Sequence, residues 1–235
     1  WDYALATINQ AVAKCTANAG DTIYVAPWHA ETIAAAASNP IISVAGTKVI
    51  GVSNGFNKPT ITITHVDGTF SVTGANATVE GIKVVANVAD VKVGMTIGAD
   101  ADGAVIDGCV FRDSAANKEF LVALQATAAS TDLTIINNDI LTTAAAGTAN
   151  GIKLLGGHTG SVIANNTVYG KFSAGAVLAS AAASLGIKVI GNKFVNAEAA
   201  LGLGLHASCT GILANNYIGG TTSIAAALTG ETAMW

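Results

Sequence analysis

Charge is scarce in this chain. Asp, Glu, Lys and Arg supply 11% of its 235 residues, against about 25% in an ordinary soluble domain. A surface so poor in charge is expected to be hidden in part by self-association. Arginine occurs once, at Arg112, the lysines are scattered, and the net charge is -4. Phosphate binding needs clustered basic residues, so nucleic acid is excluded as a partner. Cys15, Cys109 and Cys209 are odd in number and widely spaced, which argues against a disulfide framework and a Cys-x-x-Cys metal knuckle. Aromatic residues reach only 6%, whereas a glycan-binding groove displays exposed Trp and Tyr platforms. No apolar run reaches the ~18 residues of a membrane span; the nearest, 174–187, is Ala-rich and broken by Ser180 and Ser184, so no membrane partner is expected. No charged segment leads into an apolar one as a signal peptide would. Because the first residue is Trp1 rather than Met, the true start is expected upstream.

What the chain has instead is an internal repeat. Ile163, Asn166 and Val168 form an apolar–Asn–apolar triplet with spacings of three and two, and it recurs as Ile135/Asn138/Ile140, Val189/Asn192/Phe194 and Leu213/Asn216/Ile218. Upstream, Val79/Ile82/Val84 and Ile106/Cys109/Phe111 keep the spacing but place an apolar residue or Cys in the Asn column. The period is about 27 residues, and each unit holds short Val- and Ile-rich alternating runs, the pattern of strands. A second apolar column, Met95, Leu124, Ile152, Leu178 and Leu203, precedes these anchors and requires at least two strands per turn. At about 3.3 Å per residue, with Gly- or Asn-rich corners, such a unit closes one coil of a parallel β-helix. Helical repeats are excluded because no unit carries a long 3.6-residue apolar period. The expected fold is all-β, a solenoid of roughly eight coils over residues 21–235, with residues 1–20 as an N-terminal capping helix.

Leu5, Ile8, Ala11, Val12 and Cys15 give that helix its apolar face over residues 2–18, and its role is to cover the open end of the first coil. Strands are expected at 22–25, 41–44, 48–52 and 60–64, with the repeat starting near Val49 and the threonines of 60–64 facing out. Asn138, Asn166, Asn192 and Asn216 read as a structural ladder. An inward Asn at a corner can bond backbone groups and its counterparts one coil up and down, and Asn tolerates the left-handed conformation a corner demands.

These Asn stacks and turns resemble the single-stranded right-handed parallel β-helix of the pectate-lyase type. The opening, Leu5-Ala6-Thr7-Ile8-Asn9-Gln10-Ala11-Val12 followed by Gly20-Asp21-Thr22-Ile23-Tyr24-Val25, is similar to β-helical proteins of tailed bacteriophages. That resemblance implies a virion surface part: a homotrimeric decoration or cement protein of the head, or a fibre component, with further copies of itself and the major capsid protein as partners. The same opening also occurs in bacterial β-helix enzymes, so a polysaccharide lyase or glycoside hydrolase stands as the alternative.

A lyase of this shape needs acids that hold calcium and an Arg or Lys base. Asp100, Asp102 and Asp107, near Asp113, with Arg112, are the available set; Asp100-Ala101-Asp102-Gly103 also has the composition of a turn. A hydrolase needs two facing carboxyls, and Glu80 is the only acid at the position of Asp107 in another coil. Gly156-Gly157-His158-Thr159-Gly160 lacks the Lys and helix of a phosphate loop and reads as a corner. His29, His65, His158 and His206 stand beside no nucleophile motif. Residues 113–120 and 142–150 are the longest loop candidates, where a solenoid places its function, and Trp28 is a contact candidate. No catalytic residue, metal site or cofactor is assigned. The expected function is structural and non-enzymatic.

Overall fold

The computed structural model describes residues 4–53, 57–142, 147–179, 181–198 and 200–219, and the backbone of 222–224. It is a parallel β-solenoid built from three eight-stranded sheets. Sheet 1 runs from Thr22–Val25 to Gly211–Ala214, sheet 2 from Ala30–Ile33 to Tyr217–Gly219, and sheet 3 from Ile41–Ile42 to Thr222–Ile224. Each coil visits the sheets in that order, so every rung pairs in parallel with the coil before and after it.

The core is a set of columns. In sheet 1, Ile23, Val49, Val79, Ile106, Ile135, Ile163, Val189 and Leu213 stand in register. From Val49 to Ile163 they are at most 1% exposed. Sheet 2 supplies Ile61, Val84, Phe111, Ile140, Val168, Phe194 and Ile218 in the same manner. Alternation puts each of these side chains into the interior and its chain neighbours outside. The repeat begins one coil earlier than Val49, because Ile23 is the rung partner below it.

In sheet 3 the column is Phe70, Met95, Leu124, Ile152, Val177 and Leu203. Val177 takes the place expected of Leu178, which pairs with Lys153 and points the other way. A run of three apolar residues, Ala176 to Leu178, gives no alternation from which to choose. The strand Ala30–Ile33 was also missed, since Ile33 is its one large apolar residue. Thr60–Ile63 alternates as expected, with Ile61 and Ile63 buried and the threonines half-buried.

Helix α1 spans only Ile8–Val12, shorter than the periodicity over 2–18 suggests, and Asp2 lies outside the described residues. Thr7 is extended and its side chain accepts the Gln10 amide, which fixes the start. After Val12 the bonds tighten to three-residue turns, Lys14 N to Ala11 O and Cys15 N to Val12 O, and the left-handed Asn18 turns the chain away. Ile8 and Val12 face the core, while Leu5 is 42% exposed. The helix completes the ends of two sheets. Ile8 N donates to Glu31 of sheet 2 at 3.1 Å, and the Asn9 amide bonds Asn39 O and Ile41 N beside sheet 3, both at 2.8 Å.

Two of the three corners are built on left-handed residues. Gly81, Gly108, Asn137, Asn165, Gly191 and Asn215 all have positive φ between sheets 1 and 2. Each stands one place before the Asn-ladder column, so the conformational demand falls on that residue and not on the ladder Asn. Gly20, Gly46, Asn76, Gly103, Asp132, Gly160 and Gly186 form a second such column where sheet 3 leads into sheet 1. Among the described residues the corner between sheets 2 and 3 has no equivalent column; the longer loop candidates 113–120 and 142–150 belong to it, with 143–146 outside the described residues.

Candidate functional site

The acids considered for catalysis do not converge with the arginine. Asp100 and Asp102 are exposed on the corner before sheet 1, and the Asp102 carboxylate accepts the Thr131 amide of the next coil at 2.6 Å. Asp107 lies on the outer side of sheet 1 beside its rung partner Glu80 and accepts from the Asn137 side chain at 2.8 Å. Arg112 is past the corner on sheet 2. It donates to Phe111 O at 2.8 Å and Asp139 O at 2.9 Å, and it pairs with the Asp139 carboxylate. A guanidinium held in this way is not free to remove a proton from a substrate facing sheet 1. Among the described residues no three His, Cys, Asp or Glu side chains could hold one metal ion together.

The asparagines make a continuous chain of bonds inside the corner between sheets 1 and 2. Asn138 donates its backbone N–H and its side-chain amide to Asn166 Oδ1, at 2.9 and 3.0 Å. Asn166 does the same to Asn192, and Asn192 to Asn216. Each side-chain amide also donates to the carbonyl of the core anchor one coil back: Asn138 to Ile106, Asn166 to Ile135, Asn192 to Ile163 and Asn216 to Val189. Cys109 extends the chain by one step, since its N–H donates to Asn138 Oδ1 and its thiol to Val79 O at 3.7 Å. Full burial pushes that thiol up to about 12. From Cys109 to Asn192 this is a buried, bonded frame, and it serves to hold the corner shut.

A second buried column connects residues that the sequence reading kept apart. Ser130 Oγ lies 2.9 Å from His158 Nδ1, His158 N donates to Ser184 Oγ, and Ser184 N donates to Cys209 Sγ. His158 is fully buried, and burial holds its pKa below the ordinary histidine value. The Ser–His contact has the atoms of a nucleophile and base but no access for a substrate. The signal was available: Ser130, His158, Ser184 and Cys209 each stand five places before a core anchor or, for Cys209, four.

The third polar group lies at the corner between sheets 2 and 3. Glu119 is 5% exposed, and burial, with Asp90 and Asp113 adding negative charge, raises its pKa above the usual carboxylate range. Thr142, Thr148 and Asn150 are buried one coil further on. Sequence position marked the loops but not these side chains.

A groove of about 720 Å³ flanks α1 at the N-terminal end, walled by Leu5, Ile8 and Ala11 on one side and Ile23 and Val25 on the other. It borders the free edge of Thr22–Val25, the sheet end that α1 does not bond. Trp28, close by, is 75% exposed with a φ of 64°. No known protein-family profile, curated protein or solved structure matches this chain.

Proposed function

We propose that this chain is a non-enzymatic structural protein of a tailed-phage particle, a homotrimer that decorates or cements the head against the major capsid protein. The observation that supports this reading best is one outward column on each of two sheets in the later coils, beside columns that hold Lys188 on sheet 1 and Asp139 and Lys193 on sheet 2. On sheet 1 the outward column Ile136, Ala164, Ile190 and Ala214 carries no charge. On sheet 2, Leu141, Tyr169, Val195 and Gly219 likewise carry none, and Tyr169 is 48% exposed. Flat uncharged columns of this kind are suited to burial against further copies or a shell. Outward acids that serve as turn braces, and an arginine committed to Asp139, fit the same reading.

Light scattering of the purified chain tests it. A mass three times the 23.3 kDa protomer is expected, with Tyr169→Lys reducing it to one, and the wild-type chain is expected to bind purified heads that lack it. A dispersed monomer with no affinity for particles would overturn the reading. The adjacency of Asp107 and Glu80 favours polysaccharide cleavage as the second reading. Unsaturated products or new reducing ends from acidic or neutral glycans with calcium, lost in Asp107→Asn, would establish it instead.

A further inference from the structure

The sheets do not end alike at the N-terminal end of the solenoid. Helix α1 meets the edges of sheets 2 and 3, through Ile8 N to Glu31 and the Asn9 amide to Asn39 O and Ile41 N. On sheet 1 the edge strand Thr22–Val25 pairs only with Lys48–Gly51. Lys48 N and Val52 N donate to Asp21 O and Val25 O, so Asp21, Ile23 and Val25 turn their backbone groups toward that neighbour. Successive residues of a parallel strand face opposite sides. The N–H and C=O of Thr22 and Tyr24 therefore point away from it, where they meet no partner among the described residues.

Edge strands are ordinarily blunted by charge or proline, and Thr-Ile-Tyr-Val carries neither. Beside it runs the groove of about 720 Å³, with Leu5, Ile8 and Ala11 facing the strand. Unpaired amides on one side and apolar side chains on the other are what one extended chain needs in order to dock. Of the charged groups that line the groove, Asp21 accepts Thr16 N at 2.6 Å and His29 lies 3.4 Å from Glu31. Lys14 forms no ion pair among the described residues, so the uncommitted charge is positive. A second copy is poorly shaped for this place. Its last coil offers Gly211–Ala214, but Tyr217–Gly219 follows after two residues and would be driven into α1, while the sheet 1 strands between the two ends are paired on both sides.

We propose that Thr22–Val25 accepts an extended segment of a partner protein as an added strand of sheet 1, parallel like every other rung. The segment carries apolar residues at alternate positions, against Leu5 and Ile8, and an acid at its N-terminal end. That end falls on the Lys14 side, because Thr16 N is bonded to the Asp21 carboxylate just before the strand begins. The site stands apart from the outward columns invoked above for assembly.

Fluorescence polarisation of a labelled, end-blocked peptide of residues 132–137 with the full chain tests this. The peptide begins with Asp132 and copies a rung of sheet 1 whose Ile135 shares the column of Ile23. Saturable binding is expected. Methylating the peptide nitrogens of Ile135 and Asn137, which would donate to Thr22 O and Tyr24 O, should weaken it about tenfold or more, whereas methylating those of Thr134 and Ile136, which face away, should not. Tyr24→Pro removes one outward N–H at a position where an edge tolerates proline and should weaken binding likewise. Lys14→Glu should lose about two- to fivefold and prefer a peptide with Lys in place of its Asp132. No saturable binding, or equal binding of the two methylated peptides, overturns the proposal, and this comparison decides even if Tyr24→Pro does not fold. Self-association of the chain that Tyr24→Pro abolishes overturns it as well, assigning the edge to a second copy.

Discussion

Replacing Asn166 by Ala removes one link from the middle of the ladder, and the bonds around it set the size of the effect. The change deletes the acceptor of the Asn138 backbone N–H and of the Asn138 side-chain amide, and the donor to Ile135 O and Asn192 Oδ1. The Asn138 N–H is left buried without its acceptor, a loss of about 1–3 kcal/mol. The other bonds contribute about 0.5–1.5 kcal/mol each, partly recovered by relaxation, so the total is about 3–4 kcal/mol. At the end of the ladder, Asn216 is half-buried and water can replace part of what Asn216→Ala removes, for a loss of about 1 kcal/mol. Urea unfolding followed by far-ultraviolet circular dichroism measures both, with the midpoints compared because a solenoid can unravel stepwise. The control is Asn166→Leu, which restores volume without the bonds and should lose as much as Ala. Equal losses at 166 and 216, or recovery of stability in Asn166→Leu, would show that shape and not bonding holds this corner.

Three further outcomes follow from other columns. Gly191 has a φ of +68°, and a Cβ there would lie 2.6 Å from Asn165 Oδ1; Gly191→Val is expected to lose about 1–2 kcal/mol in chemical unfolding, and Gly191→Asn clearly less, since Asn fills the same place in neighbouring coils. In a native thiol titration Cys15, half-buried, should react first, while Cys109, fully buried with its thiol at about 12, reacts only in denaturant. His158 is held below its ordinary value, so its contribution is complete above about pH 6.5 and is lost as pH falls through the folded value. The unfolding midpoint of wild type should therefore drop between pH 7 and pH 5 more than that of His158→Gln. Glu119 acts in the opposite sense, its raised pKa making the folded state less favourable as pH rises past the usual carboxylate value, which is why the comparison must be between variants.

The coil period, the parallel stacking and the Asn column were legible because each is a repeated statement, one residue type at one place in many coils, whereas the two apolar columns read from the sequence required only two strands per turn and the structure has three sheets. Ile135, Ile163 and Val189 stand over one another for that reason. Features stated once were harder. The strand Ala30–Ile33 has no alternation to show, because Glu31 sits in a core column where it caps α1 instead of packing. The length of α1 depended on Thr7 being extended, which apolar periodicity does not report. The left-handed column before sheet 1 was legible and overlooked: Gly20, Gly46, Asn76, Gly103, Asp132, Gly160 and Gly186 each precede a core anchor by three residues. The buried oxygens near Glu119 could not be read at all, since that corner has no period and its polar residues look like ordinary loop composition.

The ladder also has a direction. Every amide oxygen in it, from Asn138 to Asn216, receives the N–H of the coil that precedes it in sequence. From Cys109 onward a coil is thus finished only when its successor has arrived, and during synthesis the growing end there carries one unclosed corner awaiting the next 24 to 29 residues. Such a chain winds up like a ratchet over the coils that carry the ladder, and a stop introduced between any two of them would cost the shortened protein one open corner.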